Sequence, residues 1–367
     1  MKTNSLYPQT ETQRNIYISV ILAVLTVMTV ITLIISSCLP AYVPTGSFSD
    51  NDGEENGETT GDDEPDDRPN SGNHPSVGNF SDFGSASLCA IDTAASTKQF
   101  GDDVKSKNAI VVNMSTNIAT YAKGADERIQ IASMTKVMTL ITALDLIESN
   151  NQMYDRVEIK QEYIDLLRPQ GYQLAFYNEA YYSDGNVYKV YVIDLLYALI
   201  LRSGCDAALA LADHLAGSEE AFVDRMNEIA KNDLGLENTN FTNVYGNDDG
   251  GRNYSTVREV GEMFNYALSN ELAKKILTTK SGDYYYQETY NYNYPESLVL
   301  DAIKNRDTGD VKVLGGKSGN DEMAGYCLVS FGETSDGSRY LVVSAGYKEA
   351  KSSYADSAVI YKNYVGQ

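Results

Sequence analysis

The chain has 367 residues, 43% of them hydrophobic, and its 51 acidic against 29 basic residues give a formal net charge of −22. The apolar share is typical of a globular body and excludes a chain that is disordered throughout. The acidic excess leaves no basic surface for a polyanion, so we predict no nucleic-acid partner and interpret the charge as an aid to solubility.

The first predicted element is an apolar segment near the N-terminus. Residues 16–37 begin with 20 uncharged, mostly apolar residues, about the ~20 that a helix needs to cross a bilayer. Lys2 and Arg14 precede this segment, and no basic residue follows it until Arg68. The positive-inside rule therefore places residues 1–15 in the cytoplasm and the rest of the chain outside. We predict a transmembrane anchor in the cytoplasmic membrane.

Two other interpretations of this segment stay open. It could be a cleaved signal peptide, although it is longer than the usual apolar region of such peptides. The run Ile35-Ser36-Ser37-Cys38 also has the form of a bacterial lipoprotein cleavage site, with Cys38 as the lipidated residue. All three interpretations export the remainder of the chain from the cytoplasm.

Residues 38–85 are predicted to be a disordered acidic linker. Between residues 41 and 85 there are eleven acidic residues and one arginine, with few aliphatic side chains. Such a segment cannot bury enough apolar surface to offset its ordering entropy. The folded body is expected to begin near Ala86 and to comprise residues 86–367.

The body starts with strand signals and continues with helices. A strand over 108–114 is followed by a hairpin partner over 117–122. A helix is predicted from Ser133, because apolar residues recur along it at helical spacing. Residues 192–201 are apolar nearly all round and predict a buried helix. Further helices are predicted over 207–215 (with Asp206 as its cap), 218–231 and 256–268.

The C-terminal part returns to strand signals. Residues 311–314, 326–331 and 340–347 read as strands, and a final helix is predicted over about 350–364. Strands at both ends with helices between them predict an α+β fold. Its antiparallel sheet is built from N- and C-terminal strands, is flanked by helices and carries an inserted, mostly helical subdomain.

The first two of three short motifs predict a nucleophile and its proton carriers. In Ser133-Met134-Thr135-Lys136, a serine at a helix start has a lysine one turn later, which lets Ser133 act as nucleophile and Lys136 as its general base. Partial burial and a second cation, Lys317, would lower the pKa of Lys136. Ser203, in Ser203-Gly204-Cys205, is a candidate proton relay. S-x-x-K alone is common by chance, and Ser203 alone reads as a turn serine.

The third motif, Lys317-Ser318-Gly319, predicts a binding strand. Lys317 and Ser318 can hold a substrate carboxylate, and Gly319 allows a close backbone approach. The amides of Ser133 and Asn320 are the candidate oxyanion hole. The alternative interpretation of this motif is that it is the exposed end of a strand, with the Lys317 amine in solvent and no substrate bound.

Histidine and cysteine counts narrow the chemistry. Only His74 and His214 are present, and His74 lies in the linker, so a Ser-His-Asp triad would have to use His214. Lysine is therefore the favoured base. A disulfide between Cys89 and Cys327 is possible, but buried free thiols are preferred.

Taken together, the motifs resemble those of the penicillin-binding serine D-alanyl-D-alanine carboxypeptidases, from about residue 108 to residue 364. The segments 131–139, 203–208, 216–222, 240–256 and 315–327 are similar to family stretches in the same order. The resemblance implies a β-lactamase/transpeptidase-like fold. It also implies that Ser133 attacks the D-Ala-D-Ala end of a peptidoglycan stem peptide and is acylated by β-lactam antibiotics. No metal or cofactor is implied.

Two residues depart from the family pattern. Cys205, expected to contact substrate, stands where the family usually has asparagine, and Ser318 stands where threonine is commoner. A thiol is a weaker hydrogen-bonding group than an amide, so substrate positioning or deacylation is expected to change.

Two alternative functions stay open. A serine β-lactamase shares the first and third motifs, but no E-x-x-L-N stretch lies between Cys205 and Lys317. A catalytically weak penicillin- or cell-wall-binding protein is the alternative from another class, and Cys205 is its main support.

Overall fold

The computed structural model describes residues 83–148, 150–288, 290 and 292–367. The predicted membrane anchor, His74, Cys38 and all but the last three residues of the predicted linker lie outside the described residues. Within the described ranges, no helix is both long and apolar enough to cross a membrane.

A six-stranded sheet in the order β1-β3-β2-β8-β7-β6 is the centre of the fold. Three strands come from the start of the body and three from its end, and only the β1–β3 pairing is parallel. The strands are β1 Asp92–Lys98, β2 Asn108–Asn113, β3 Ile118–Lys123, β6 Lys312–Asp321, β7 Gly325–Glu333 and β8 Arg339–Tyr347; β4 Arg156–Glu158 and β5 Lys189–Tyr191 form a separate two-stranded antiparallel sheet.

Helices cover both faces of the large sheet, and most of them belong to the part of the chain between β3 and β6. The α-helices of the described residues are α1 Lys136–Leu146, α2 Gln161–Leu167, α3 Glu179–Ser183, α4 Val192–Leu201, α5 Cys205–Ala216, α6 Glu219–Glu228, α7 Val257–Ser269, α8 Glu271–Thr278, α9 Leu298–Ile303 and α10 Ala350–Tyr364. Short 3-10 turns occupy Ala86–Leu88, Ala132–Thr135, Asn150–Tyr154 and Arg168–Gln170, and a π turn, Ile229–Asp233, extends α6.

Side-chain alternation along the strands gives the sheet two cores. Leu341 and Val343 of β8 face the larger core with α7, whereas Val342 faces a smaller core that contains Ile360 and Tyr361 of α10. Successive strand residues point to opposite faces, so one strand supplies both cores. Helix α4 is buried along its whole length, as its nearly continuous apolar sequence predicts.

The predicted α+β class is confirmed, with two local corrections. Strand β1 was not predicted, because its residues are mostly polar and exposed, and it pairs parallel to β3 at the sheet edge. Helix α5 begins at Cys205, so Asp206 lies inside it rather than capping it. The Asp206 carboxylate instead accepts hydrogen bonds from the amides of Ala175 and Phe176, at 2.8 and 2.7 Å.

Candidate active site

The first motif lies where a 3-10 turn passes into α1. The Ser133 Oγ is 2.9 Å from the Lys136 Nζ, because a separation of three residues places both side chains on one face. Ala132, directly before Ser133, has a φ of +43°, a left-handed conformation that L-residues seldom adopt. Such strain next to a reactive group persists only where the surrounding structure holds it.

The Lys136 amine lies in a fully buried, polar environment. Its Nζ donates to the Tyr245 carbonyl at 2.7 Å and contacts the Cys205 Sγ at 3.3 Å. A neutral amine has two N–H donors, and these two acceptors match them. The nitrogen lone pair is then free to face the Ser133 Oγ.

A loop over residues 243–247 holds the Tyr245 carbonyl in place. The Asn243 Oδ1 accepts from the amides of Tyr245, Gly246 and Asn247, at 3.3, 2.7 and 2.9 Å. Gly246 has a φ of +95°, and a Cβ there would lie 2.1 Å from the Ala132 carbonyl oxygen. The loop is therefore in direct backbone contact with the turn that carries Ser133.

The second and third motifs meet through another serine–lysine pair. The Lys317 Nζ donates to the Ser203 Oγ at 2.9 Å and to the Ser318 carbonyl at 2.7 Å. Ser203 follows α4 with a φ of +56°, again left-handed, so the chain turns sharply there. The predicted helix break is therefore present, and it directs the Ser203 hydroxyl towards β6.

Cys205 lies between the two serine–lysine pairs. It is almost fully buried, its amide donates to the Gln173 carbonyl at 2.8 Å, and its Sγ contacts Lys136. Burial raises the pKa of the thiol, and the positive charge of Lys136 opposes that shift. The thiol therefore lies beside the amine, at the position where the resemblance predicts an amide.

Burial lowers the pKa of both lysines below their ordinary range. We predicted partial burial of Lys136, but its side chain is completely buried. For Lys317, the positive charge of Lys136 lowers the pKa further. The repulsion we predicted between the two cations contributes to the lowered pKa of Lys317, and the contact with Cys205 and the negative charge of Asp206 partly offset the effect of burial on the pKa of Lys136. A neutral amine in this environment is a competent base.

Strand β6 runs directly beside the nucleophile turn. A Cβ built on Gly319 would lie 2.9 Å from the Ser133 amide nitrogen and from the Ile131 carbonyl oxygen. The space that glycine leaves at this position is thus filled by the protein's own chain. This contact brings the Ser133 amide and the peptide that follows Gly319 to the same edge of the cleft.

Cys327 of β7 supports this edge from below. Its Sγ lies 3.3 Å from the carbonyl oxygens of both Ile131 and Gly319. The Gly319 carbonyl belongs to the same peptide as the Asn320 amide, and the two point in opposite directions across a trans peptide. The Asn320 N–H is therefore directed away from Cys327, on the strand at the free edge of the sheet.

Sequence reasoning assigned no role in the site to Asn243, to the Tyr245 carbonyl or to Cys327. The only sign of the first two was the family-like stretch 240–256, because a backbone carbonyl leaves no trace in a sequence. His214 does not take part in the site: it is exposed and its Nε2 lies 3.2 Å from Asp155. Cys89, Cys205 and Cys327 are buried free thiols, so the possible Cys89–Cys327 disulfide is absent.

A serine hydroxyl paired with a buried amine, beside a strand that carries a second lysine, defines a serine acyl-transfer enzyme. The peptidase S11 family profile, described as D-alanyl-D-alanine carboxypeptidase, matches residues 92–347. The chain belongs to this family. The predicted enzyme class, a serine-type D-alanyl-D-alanine carboxypeptidase, is confirmed.

Individual relatives agree with this assignment. The chain is 33% identical over 230 residues to a D-alanyl-D-alanine carboxypeptidase of Streptomyces sp. strain K15, covering 59% of this chain and 73% of that one. It is 30% identical over 220 residues to DacF of Bacillus subtilis, covering 57% of this chain but only 52% of that one. The chain thus spans about half the length of the Bacillus relative.

Among solved structures, the Streptomyces K15 DD-transpeptidase superposes with a TM-score of 0.57 at 27% identity, covering 71% of this chain and 97% of that one. Variants of that enzyme have also been solved in which a serine, or a cysteine two positions later, is replaced. That spacing equals the spacing of Ser203 and Cys205.

Proposed function

We propose that the chain removes the terminal D-alanine from peptidoglycan stem peptides through an acyl-enzyme on Ser133. The observation that carries the proposal is the 2.9 Å separation of the Ser133 Oγ from a buried Lys136 amine. Burial lowers the pKa of that amine, which is the condition for it to act as a base.

In the first step, the Ser133 Oγ attacks the carbonyl carbon of the D-Ala-D-Ala amide and its proton passes to the Lys136 Nζ. The amides of Ser133 and Asn320 hold the oxyanion. The C–N bond then breaks as the Ser203 hydroxyl protonates the leaving amine. The proton that Lys136 took from Ser133 replaces it on Ser203, which Lys317 holds by a hydrogen bond, so Lys136 is neutral again. Free D-alanine departs.

In the second step, water attacks the ester carbonyl while the neutral Lys136 takes a water proton. Lys136 then returns that proton to the Ser133 Oγ as the ester bond breaks, and the shortened peptide leaves as its carboxylic acid. Lys317, Ser318 and Gly319 hold the substrate backbone and its terminal carboxylate. A β-lactam acylates Ser133 by the same first step as its ring amide opens. Its leaving amine stays attached, which obstructs the approach of water and prolongs the acyl-enzyme.

A second candidate is transfer of the acyl group to an amine, a transpeptidation. Cys205 favours it, because a solved DD-transpeptidase has the same serine–cysteine spacing. We expect Cys205→Asn to add one hydrogen bond of about 1 kcal/mol, equivalent to about five-fold in the rate of acylation. The ratio of hydrolysed to transferred product, measured with glycine as the amine acceptor, distinguishes the two activities.

The central test is fluorescent penicillin labelling combined with D-alanine release from a soluble pentapeptide. We expect covalent labelling of the wild type and none of Ser133→Ala. Labelling without D-alanine release supports the alternative of a weak penicillin-binding protein, and rapid turnover of penicillin supports a β-lactamase. Absence of labelling in a folded wild type overturns the proposal.

We also propose that the catalytic body acts outside the cytoplasmic membrane, held there by residues 16–37. The support is the uncharged run and the charge asymmetry around it. Intact-mass measurement of the membrane-extracted protein distinguishes an uncleaved anchor from a lipidated Cys38 and from a cleaved signal peptide. Recovery of the intact, unlipidated chain in the cytosolic fraction contradicts anchoring.

A further inference from the structure

The segment between α8 and α9, residues 279–297, presents tyrosine side chains to solvent. Four tyrosines in the described residues are exposed, and three of them, Tyr285, Tyr292 and Tyr294, lie in this segment. Tyr285 is 60% exposed and Tyr292 47%. Clustered exposed aromatic groups mark interaction sites, whereas single ones are ordinary. We call these three residues the tyrosine patch.

The patch stands on a fixed base. The buried Asp194 carboxylate of α4 accepts from the Tyr284 and Tyr290 hydroxyls, at 2.5 and 2.9 Å, and from the Gln287 amide at 3.0 Å. The Tyr284 ring is stacked on Tyr197 with 3.5 Å between centroids. The segment is thus bound to α4 from below, so the patch loses little conformational freedom when a ligand binds.

The patch borders the catalytic cleft. Arg202, the residue before Ser203, has its guanidinium carbon 4.3 Å from the centroid of the Tyr292 ring and its Nη1 3.2 Å from Glu296. Just before the segment, at the end of α8, the Leu277 carbonyl oxygen would lie 2.2 Å from a Cβ on Gly315, two residues before Lys317. A substrate extending out of the cleft on this side would meet the tyrosines.

The chemistry of the patch selects a neutral, ring-shaped ligand. The acidic side chains of Asp283, Glu288 and Glu296 belong to the same segment, and Glu296 is paired with Arg202. Glu288 is likewise paired with Arg156, so the segment presents no excess of positive charge to attract an anionic polymer or membrane surface. Tyrosine offers a flat apolar face and a hydroxyl at low entropic cost. A pyranose ring has the complementary form, a C–H face with hydroxyl and amide groups at its rim.

We propose that the tyrosine patch binds the amino-sugar glycan strand to which the stem peptide is attached. The inference rests on the proposed function for the identity of the glycan, and it adds a second contact to the substrate. A polymeric substrate is then held by its sugar as well as by its peptide end, whereas a soluble peptide is held at the cleft alone.

The test compares the triple variant Tyr285→Ser, Tyr292→Ser, Tyr294→Ser with Leu88→Ser, both in full-length, detergent-solubilised protein. Leu88 is 70% exposed but precedes β1, at the edge of the sheet opposite β6. Both changes are made in a Ser133→Ala background, and binding of an uncharged N-acetylglucosamine oligomer is titrated by calorimetry. We expect the triple variant to bind roughly ten-fold more weakly or worse, and the control to be unchanged.

Parallel measurements use the same changes in the Ser133 background. Melting temperature and penicillin labelling are expected to match the wild type, with D-alanine release lowered from intact sacculi but not from the soluble pentapeptide. Unchanged glycan binding overturns the inference. The inference is also overturned if the triple variant loses only its binding to sugar-free stem peptide or to anionic vesicles. A fall in penicillin labelling overturns it as well, because the patch would then be part of the catalytic geometry. Failure of the proposed function is recognised separately, by unlabelled wild type, because glycan binding is measured without turnover.

Discussion

Replacing Gly246 with alanine tests whether the 243–247 loop sets the geometry of the nucleophile. Gly246 has a φ of +95°, and its Cβ would lie 2.1 Å from the Ala132 carbonyl oxygen and 2.8 Å from the Ser133 amide nitrogen. Heavy atoms attract at about 3.5–4 Å, so backbone must move. The chain offers a matched control in Gly251, which has a φ of +85° and only the Gln130 side chain, at 3.5 Å, near its Cβ.

The two variants share one energetic cost and differ in a second. Left-handed backbone costs an alanine about 1–2 kcal/mol at either position. Gly246→Ala adds an overpacking cost of roughly 1–3 kcal/mol or more. A domain of this size loses about 2–4 °C of melting temperature per kcal/mol. We therefore expect a fall of roughly 3–6 °C for Gly251→Ala and of about 10 °C for Gly246→Ala.

The functional effect is expected to be larger than the effect on stability. A displacement of about 1 Å in a reacting group costs roughly 100-fold in rate, and the movement at Gly246 falls on the turn that carries Ser133. The assay is the second-order rate constant of acylation by fluorescent penicillin, below the melting transition of each variant. Equal rate constants for the two variants would refute the reasoning.

Three further predictions concern the buried amines and their partners. Asn243→Ala leaves three loop amides without their acceptor, which we expect to lower the free energy of unfolding by about 1–3 kcal/mol. We also expect slower acylation, because the Tyr245 carbonyl is no longer held against Lys136. Thermal melts measure the first effect and penicillin-labelling rates the second, and a labelling rate equal to that of the wild type contradicts the prediction. Lys317→Met removes a buried amine whose desolvation is costly, so we expect labelling to be lost while the free energy of unfolding stays level or rises by about 1 kcal/mol. A melting temperature several degrees lower would show that the amine, with its hydrogen bonds to Ser203 and Ser318, is a net stabiliser. Burial lowers the pKa of Lys136 below its ordinary 10.5, so the amine becomes neutral, and acylation of Ser133 becomes fast, at a lower pH than for an ordinary lysine. The acylation rate should fall as the pH falls through this lowered pKa. A pH profile whose acid limb lies at the ordinary lysine pKa would refute a neutral base.

The sequence determined the elements whose pattern is local. Burial on one face or on both makes apolar residues recur at a fixed spacing, and this spacing is visible in the sequence. It predicts the buried helix α4, the one-sided helix α1 and the strands β7 and β8. The three motifs were equally visible, because acyl transfer needs particular side chains at fixed separations along one helix turn or one strand. Strand β1 was missed since its polar residues carry no such period.

Tertiary structure alone decided how those motifs act together. It set the Tyr245 carbonyl against Lys136, Cys327 beneath the peptide that precedes Asn320, and Asp206 on the amides of a distant loop. It also decided that Lys136 is wholly rather than partly buried, which makes burial the main cause of its lowered pKa. These contacts join residues far apart in the chain, many through backbone atoms that every residue possesses, so no pattern of side chains encodes them.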